Sequence, residues 1–284
     1  MGWSDQRASR GSPIDCESCR AQIDGLCDGC ARETLSVMAH HKFGDRKVRA
    51  GQDLFSLGDP CDMIYNLVHG WVFLYTLLRD GRRQILHFAL PGAVLGFGPA
   101  SGGSTTYAAQ ALTDAVFCMI PQKALTSLSS EYPEIGLRLA WLISRDRSLS
   151  FDHLTSIGRR SARERVAHLL LELFMRSRAQ WPGHRIEEMH LPLTQEHVGD
   201  ATGLSSVHVN RVLRELRNDG IVEFHYRRLT ILDPDRLVDV AGIDPQLALS
   251  WIRPPQPGDG GSAGSIPSKS NSSHSQRDDS KRRS

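Results

Sequence analysis

Leu193 to Asn218, LTQEHVGDATGLSSVHVNRVLRELRN, restricts the fold of this chain more than any other stretch. Thr194 is placed to cap a short helix running through Gly199 and Ala201, its hydroxyl accepting from free backbone N–H groups. Gly203 stands where two helices joined by a tight turn require a positive φ. Ser205 or Ser206 caps a second helix of about four turns, whose apolar face is Val209, Val212, Leu213 and Leu216. The opposite face offers His208, Asn210, Arg211, Arg214 and Arg217. Two helices about a glycine turn, the second with hydrogen-bonding side chains near its start, form a helix-turn-helix. Asp219-Gly220 then turns the chain. Ile221–Phe224 and Arg228–Leu232 alternate around His225-Tyr226-Arg227 as a hairpin, which adds a wing. Any amphipathic helix pair with surface arginines shares part of this pattern. Caps, turn glycine, apolar spacing and wing together single out DNA reading.

Composition sets the frame. The 284 residues leave room for two domains of ordinary size. A hydrophobic content of 40% and a charged content of 23% fit a soluble globular chain. No apolar run reaches the roughly 18 residues of a membrane span. Met1–Pro13 is polar and lacks the apolar core of a secretory signal. A cytoplasmic protein with no membrane partner is the expectation. The formal net charge of +2 is too small to demand a nucleic-acid partner. The local balance says more, because Ser205–Asn218 sets Arg211, Arg214 and Arg217 against Glu215 alone.

Four of the six cysteines lie between Cys16 and Cys30. Without an export signal a disulfide framework is disfavoured, and metal or redox chemistry becomes the better reading. Cys16-Glu17-Ser18-Cys19 and Cys27-Asp28-Gly29-Cys30 bracket seven residues. Thiolates on such a loop can wrap a zinc ion or an iron–sulfur cluster; free surface thiols are the plainer alternative.

From Asp45 to about Gln122 short apolar runs alternate with turns, which predicts an all-β barrel or roll. The runs are Asp53-Leu54-Phe55, Met63–Val68, Trp71–Leu78, Gln84–Leu90, Val94–Phe97, Tyr107–Leu112 and Ala115–Ile120. Asp80-Gly81 is the strongest hairpin signal among them. From Tyr132 the period becomes helical, with Pro133 suited to a first turn. Ile135, Leu139, Leu142, Leu149 and Leu154 form one apolar seam, read here as a dimerisation element interrupted by Asp146 and His153. The competing reading packs this helix on its own β-domain. Ser161–Arg178 predicts a further helix with Val166, Leu169, Leu170 and Leu173 inward, and Ile186–Leu193 a short strand pair. Ile252–Ser284, rich in Pro, Gly and Ser, reads as a disordered tail.

This order of parts, with GDPCDMIYNLVHGWVFLY, FALPGAVLGF, LPLTQEHVGDATGLSSVHVNRVLREL and LTILD, resembles the Crp/Fnr superfamily of bacterial transcription regulators over about Cys16 to Asp235. The resemblance implies an α+β architecture. Residues 1–33 form a cysteine-rich arm and 34–131 a β-roll sensory domain of the cyclic-nucleotide-binding, jelly-roll kind. Residues 132–158 form a dimerisation helix, 159–250 a winged helix-turn-helix, and 251–284 the tail. It also implies a homodimer on double-stranded DNA with a two-fold operator, and contact with RNA polymerase. The DNA-binding residues are then Thr194, Ser205, Ser206, Val207, His208, Asn210, Arg211 and Arg214. Where the Fnr recognition helix carries Glu and then Ser-Arg, this chain has Val207, Asn210 and Arg211. Arg211 can read guanine and Asn210 adenine or a phosphate, while Val207 offers only a thymine-methyl contact.

The cyclic-AMP branch of that superfamily uses a Gly-Glu-Leu segment and a following Arg to hold ribose and phosphate. Leu95–Ala100 and Ser101–Tyr107 contain neither Glu nor Arg, which argues against cyclic AMP. Ile14–Cys19 and Leu26-Cys27 resemble instead the arm of the Fnr branch, and Ala115–Pro121 the strand bearing its distant ligand. The match implies a [4Fe–4S] cluster on Cys16, Cys19, Cys27 and Cys118, with Cys30 as an alternative ligand and oxygen or redox state as the signal. Structural zinc on Cys16, Cys19, Cys27 and Cys30 remains open, as does direct oxidant sensing by metal-free thiols. Cys61 receives no role. An enzyme would need His40, His41, His69 or His87 paired with Cys61 or Cys118; nothing in the spacing fixes such a pair, and no catalytic residue is assigned.

Overall fold

In the computed structural model, residues 14–19, 22–97, 103–179, 182–183, 185–243, 248 and 251 are described. The arm before Ile14, the glycine stretch 98–102 and the segment 252–284 expected as a tail lie outside them. The described residues belong to one compact unit, 1–254. None of their helices is long and apolar enough to cross a membrane.

The arm opens with a 3-10 turn, Cys16–Ser18, capped by the Asp15 carboxylate, and continues through turns to α1 (Arg32–His41). Eight strands follow: β1 (Gly44–Val48), β2 (Asp53–Phe55), β3 (Met63–His69), β4 (Val72–Leu77), β5 (Arg83–Ala89), β6 (Val94–Leu95), β7 (Ala108–Ala111) and β8 (Ala115–Pro121). They form two antiparallel four-stranded sheets, ordered β1-β8-β3-β6 and β2-β7-β4-β5. Then come α2 (Gln122–Glu131), α3 (Pro133–Arg159) and α4 (Ala162–Arg178). The winged unit is β9 (Glu187–His190), α5 (Gln195–Thr202), α6 (Ser206–Asn218), β10 (Val222–His225), β11 (Arg228–Ile231) and α7 (Pro234–Ala241).

Strand alternation explains how the roll joins its neighbours. Successive side chains point to opposite faces. Along β8, Phe117 and Met119 enter the core between the sheets, with Tyr65, Leu67, Val72 and Leu95. Cys118 and Ile120 therefore point the other way, into a second core shared with Leu26 and Met38 of the arm and with Leu125, Leu128, Ile135, Leu139 and Leu142 of α2 and α3. The outer face of the other sheet, through Phe73, Tyr75, Ile85 and Phe88, joins the core of the winged unit.

Three expectations are corrected here. Ile135, Leu139, Leu142 and Leu149 are buried within this chain, and only Leu154 of the expected seam is exposed. The heptad-like spacing records packing on the roll, because a face covered by a sheet repeats as a coil seam does. Ile186–Leu193 holds one strand, β9, which pairs with β11 to give the sheet β10-β11-β9. The tail cannot begin at 251, since Trp251 is buried with its ring 5.3 Å from that of His168. The α4 face is also wider than the spacing suggests. Every residue from Val166 to Met175 is buried, since α4 lies between roll and wing, and Ser161 with Glu164 completes a capping box at its start.

Candidate functional site

The recognition surface is built by α5 and α6. The Thr194 hydroxyl accepts from the His197 N–H at 3.2 Å, and the Thr194 N–H donates back to His197 Nδ1. Gly203 ends α5 at φ 70°, and the Ser205 hydroxyl starts α6 by accepting from the His208 N–H. A Cβ on Gly199 would lie 2.5 Å from the Leu204 carbonyl oxygen, so this glycine lets the turn close on the first helix. Val209, Val212, Leu213 and Leu216 are buried, which fixes the rotation of α6 and turns its other face outward.

That outer face is partly pre-arranged. Arg211 Nη2 lies 2.9 Å from His208 Nε2, and its Nε lies 3.8 Å from Glu215, one turn on. Asn210 donates to the Gln195 side-chain oxygen at 3.1 Å, tying α6 to the start of α5. Val207 is 82% exposed. Arg214 is exposed and has no side-chain partner among the described residues. Arg217 reaches His225 of the wing at 3.1 Å. Tyr226 at the wing tip is fully exposed, and it and Arg227 both hold positive φ. The sequence assigned no role to Gln195 or to the wing; a polar residue directly after the Thr194 cap and an aromatic tip followed by two arginines were the available signals.

The winged unit rests on the sheet β2-β7-β4-β5. Arg83 Nε meets Asp200 at 2.7 Å, and its guanidinium stands 5.0 Å from the centre of the Phe73 ring. His197 stacks on the other part of this patch, 5.4 Å from Phe73. Arg176 of α4 pairs with Glu172, donates to the Phe88 carbonyl at 2.7 Å and lies 3.3 Å from His87 Nε2.

The second site is the cysteine region. Cys118, facing outward from β8, has its thiol pushed up to about 12 by burial, with Lys42 opposing and Cys16 and Cys19 adding to the rise. The Cys27 thiol is raised by burial and then by Cys30, Cys118, Cys16 and Cys19. Cys19, Cys27 and Cys30 pack against the same core as Cys118, and Cys16 lies near enough to Cys27 and Cys118 to raise both. Burial also raises Cys30, but its other neighbours are Glu134, Arg138 and Asp28 on the side of α3. Among the described residues no three Cys, His, Asp or Glu side chains are arranged to hold a metal ion. Thiols are chemically suited to a soft metal, but as placed here the described ones do not converge on one. Cys61 is buried elsewhere, beside Asp62.

The interior of the roll is packed with aromatic rings. Phe55 stands 5.8 Å from Tyr65 and 5.6 Å from Tyr107, and Tyr65 6.2 Å from Phe117.

Comparison with known proteins agrees with this division. Residues 45–132 match the cyclic nucleotide-binding domain and residues 164–240 the Crp-like helix-turn-helix domain. FixK, a nitrogen fixation regulation protein of Bradyrhizobium diazoefficiens, is 30% identical over 227 residues, which cover 80% of this chain and 93% of FixK. The chain belongs to the Crp/Fnr family. The anaerobic regulatory protein of Pasteurella multocida is 28% identical over 236 residues, 82% of this chain and 85% of its own. The solved structure of FixK2 from Bradyrhizobium japonicum superposes with a TM-score of 0.63 at 29% identity, covering 70% of this chain and 98% of FixK2. As a Crp/Fnr member the protein is a DNA-binding transcription regulator, and α5 and α6 lie within the residues that match the Crp-like helix-turn-helix domain.

Proposed function

We propose that this Crp/Fnr regulator binds a two-fold operator as a homodimer and responds to oxygen or redox state through a [4Fe–4S] cluster on Cys16, Cys19, Cys27 and Cys118. The observation that supports it is the outward parity of Cys118, which turns a roll sulfur toward the core that Cys19, Cys27 and Cys30 of the arm pack against; Cys30, which also neighbours Glu134 and Arg138, is the alternative ligand. A bound cluster would supply an oxygen-labile tie among four thiolates. The chain's own residues do the rest. Leu26 and Met38 seat the arm against β8 and α3, so a change in the arm is felt by the long helix.

Dimerisation is assigned to the face of α3 that the chain leaves open. Leu137, Ala140, Phe151 and Leu154 fall at heptad positions on it, and Leu137 is 73% exposed. A second copy with the same stripe covers it in the two-fold arrangement the operator requires. Contact with RNA polymerase is part of the same reading.

The test is anaerobic purification with iron, sulfide and zinc analysis, absorption spectra and operator binding before and after air. The expected result is four irons and four sulfides per chain, an air-bleached visible band, and operator affinity falling by a factor of ~100. Cys118→Ala should abolish the band and Cys30→Ala should not. Zinc in place of iron, or DNA binding indifferent to air, overturns the cluster assignment.

A further inference from the structure

The cysteine loop is held at two places by two different parts of the fold. At its start, the Ile14 N–H donates to Asp45 at 2.7 Å, and Lys42 Nζ donates to the Ile14 carbonyl at 2.9 Å. Lys42 and Asp45 themselves pair at 2.7 Å and are nearly buried. Asp45 lies on β1 and Lys42 just after α1, so this grip involves the roll and the arm alone. The second grip comes from the dimer helix. Arg138 of α3 donates through Nε to the Gly25 carbonyl at 2.8 Å, and its Nη2 meets the Asp28 carboxylate at 2.9 Å. Its guanidinium also stands 4.4 Å from the centre of the Trp141 ring. Gly25 and Asp28 bracket Cys27. One turn earlier on α3, Glu134 accepts from the Thr34 hydroxyl of α1 at 2.9 Å.

We infer that Arg138 is the positioning residue through which the placement of the cysteine loop reaches the dimerisation face of α3. This rests on the cluster reading above. The guanidinium has two charge-assisted or carbonyl contacts on one four-residue segment, in a site where its side chain and that of Asp28 are only 14% and 12% exposed. Displacing the loop removes both contacts from a largely buried cation, a costly event that favours rearrangement of the residues around it. The neighbour in sequence is Leu137, the first apolar residue of the open stripe. A loop held round four sulfurs therefore keeps Arg138 in place, and Arg138 keeps this end of the stripe in register for a second copy.

The experiment uses full-length wild-type, Arg138→Gln and Arg138→Lys proteins. In metal-free protein, alkylation by iodoacetamide is followed at each cysteine by peptide mass spectrometry. Arg138→Gln should speed alkylation of Cys27 about tenfold and leave Cys61 unchanged. Arg138→Lys, which keeps the charge but not the fork, should fall between. In parallel, the dimer dissociation constant is measured by sedimentation with and without anaerobic reconstitution with iron and sulfide. Wild type should tighten by about 100-fold on loading, and Arg138→Gln by less than about threefold at equal iron content. An unchanged Cys27 rate, or a full loading effect in Arg138→Gln, overturns the inference. A wild type that takes up no iron, or takes it up without tightening, sinks the cluster reading and the transmission together; the alkylation result then still decides whether Arg138 holds the loop.

Discussion

Arg211 points into solvent from the middle of α6 with His208 and Glu215 steering its guanidinium. A bidentate arginine on guanine contributes about 1–3 kcal/mol of discrimination. Arg211→Ala is expected to lose that much binding, with relaxed specificity at a single base pair in a randomised-site selection. Val207 stands at the start of the same helix with no acceptor to offer a cytosine amino group. Val207→Glu should redirect the half-site toward one with cytosine opposite that position, and an unaltered selected sequence would refute the placement. Both residues were legible in the sequence, since the buried positions 209, 212, 213 and 216 fix which side chains face away. Asn210 was not. Its amide is held by Gln195, fifteen residues earlier, and spacing along one helix carries no information about a partner on another. Its availability to a base depends on exchanging that hydrogen bond.

At the scale of the element, α3 is the instructive case. A helix of 27 residues has room for two apolar faces, and periodicity marks both without saying which one meets the chain's own sheet. The apolar residues at 135, 139, 142 and 149 went to the roll and α4, and the set with Leu137 and Phe151 was left outside. Phe151→Glu should weaken self-association by about 30-fold or more, the loss expected from a central aromatic anchor, with little change in monomer stability. Leu139→Ala should do the reverse, lowering stability by about 2–5 kcal/mol through a cavity while dimers persist at equal folded fraction. Sedimentation and urea unfolding of the two variants separate the faces; exchanged phenotypes would restore the seam that the spacing suggests. The turn of the helix-turn-helix gives a second prediction. Gly199→Ala sets a methyl against the Leu204 carbonyl, and the expected loss is about 1–3 kcal/mol with weakened operator binding, read by thermal unfolding and a DNA titration. The sequence made Gly203 plain as a turn residue, but gave no sign that Gly199 is where the backbones meet.

For the whole molecule, the docking of the winged unit on the sheet encloses histidines that favour their neutral forms. Burial, Arg176, Arg145 and His153 hold His87 well below the usual histidine range. Burial lowers His153 against the opposing pull of Glu172, and burial with Arg83 lowers His197. Below about pH 6.5 the unfolded chain takes up protons at these positions and the folded chain does not, so stability falls as the pH drops. Each histidine contributes a slope of up to about 1.4 kcal/mol per pH unit until its folded-state value is reached. Urea unfolding between pH 7 and 5 should show this loss, and His87→Gln should flatten it; a stability that is level over that range contradicts the neutral assignment.

Local signals settled the kinds of element and their order: caps and turn glycines, a period near two through the roll, a helical period after Pro133, and the wing. These depend on neighbours within a few residues, so the chain states them directly. They settled the outward face of α6 too, because the residues that bury one face leave the other to solvent. The meeting of Cys118 with the arm about ninety positions earlier is only half local. Strand parity makes it face away from the roll's core, but only the closed roll decides that the arm lies on that side. The partner of α3, the grip of Arg138 on Gly25 and Asp28, and the seat of the winged unit on Phe73 and Arg83 are wholly tertiary. Each joins segments far apart in the chain, and contacts at that range are chosen by the packing of the finished molecule.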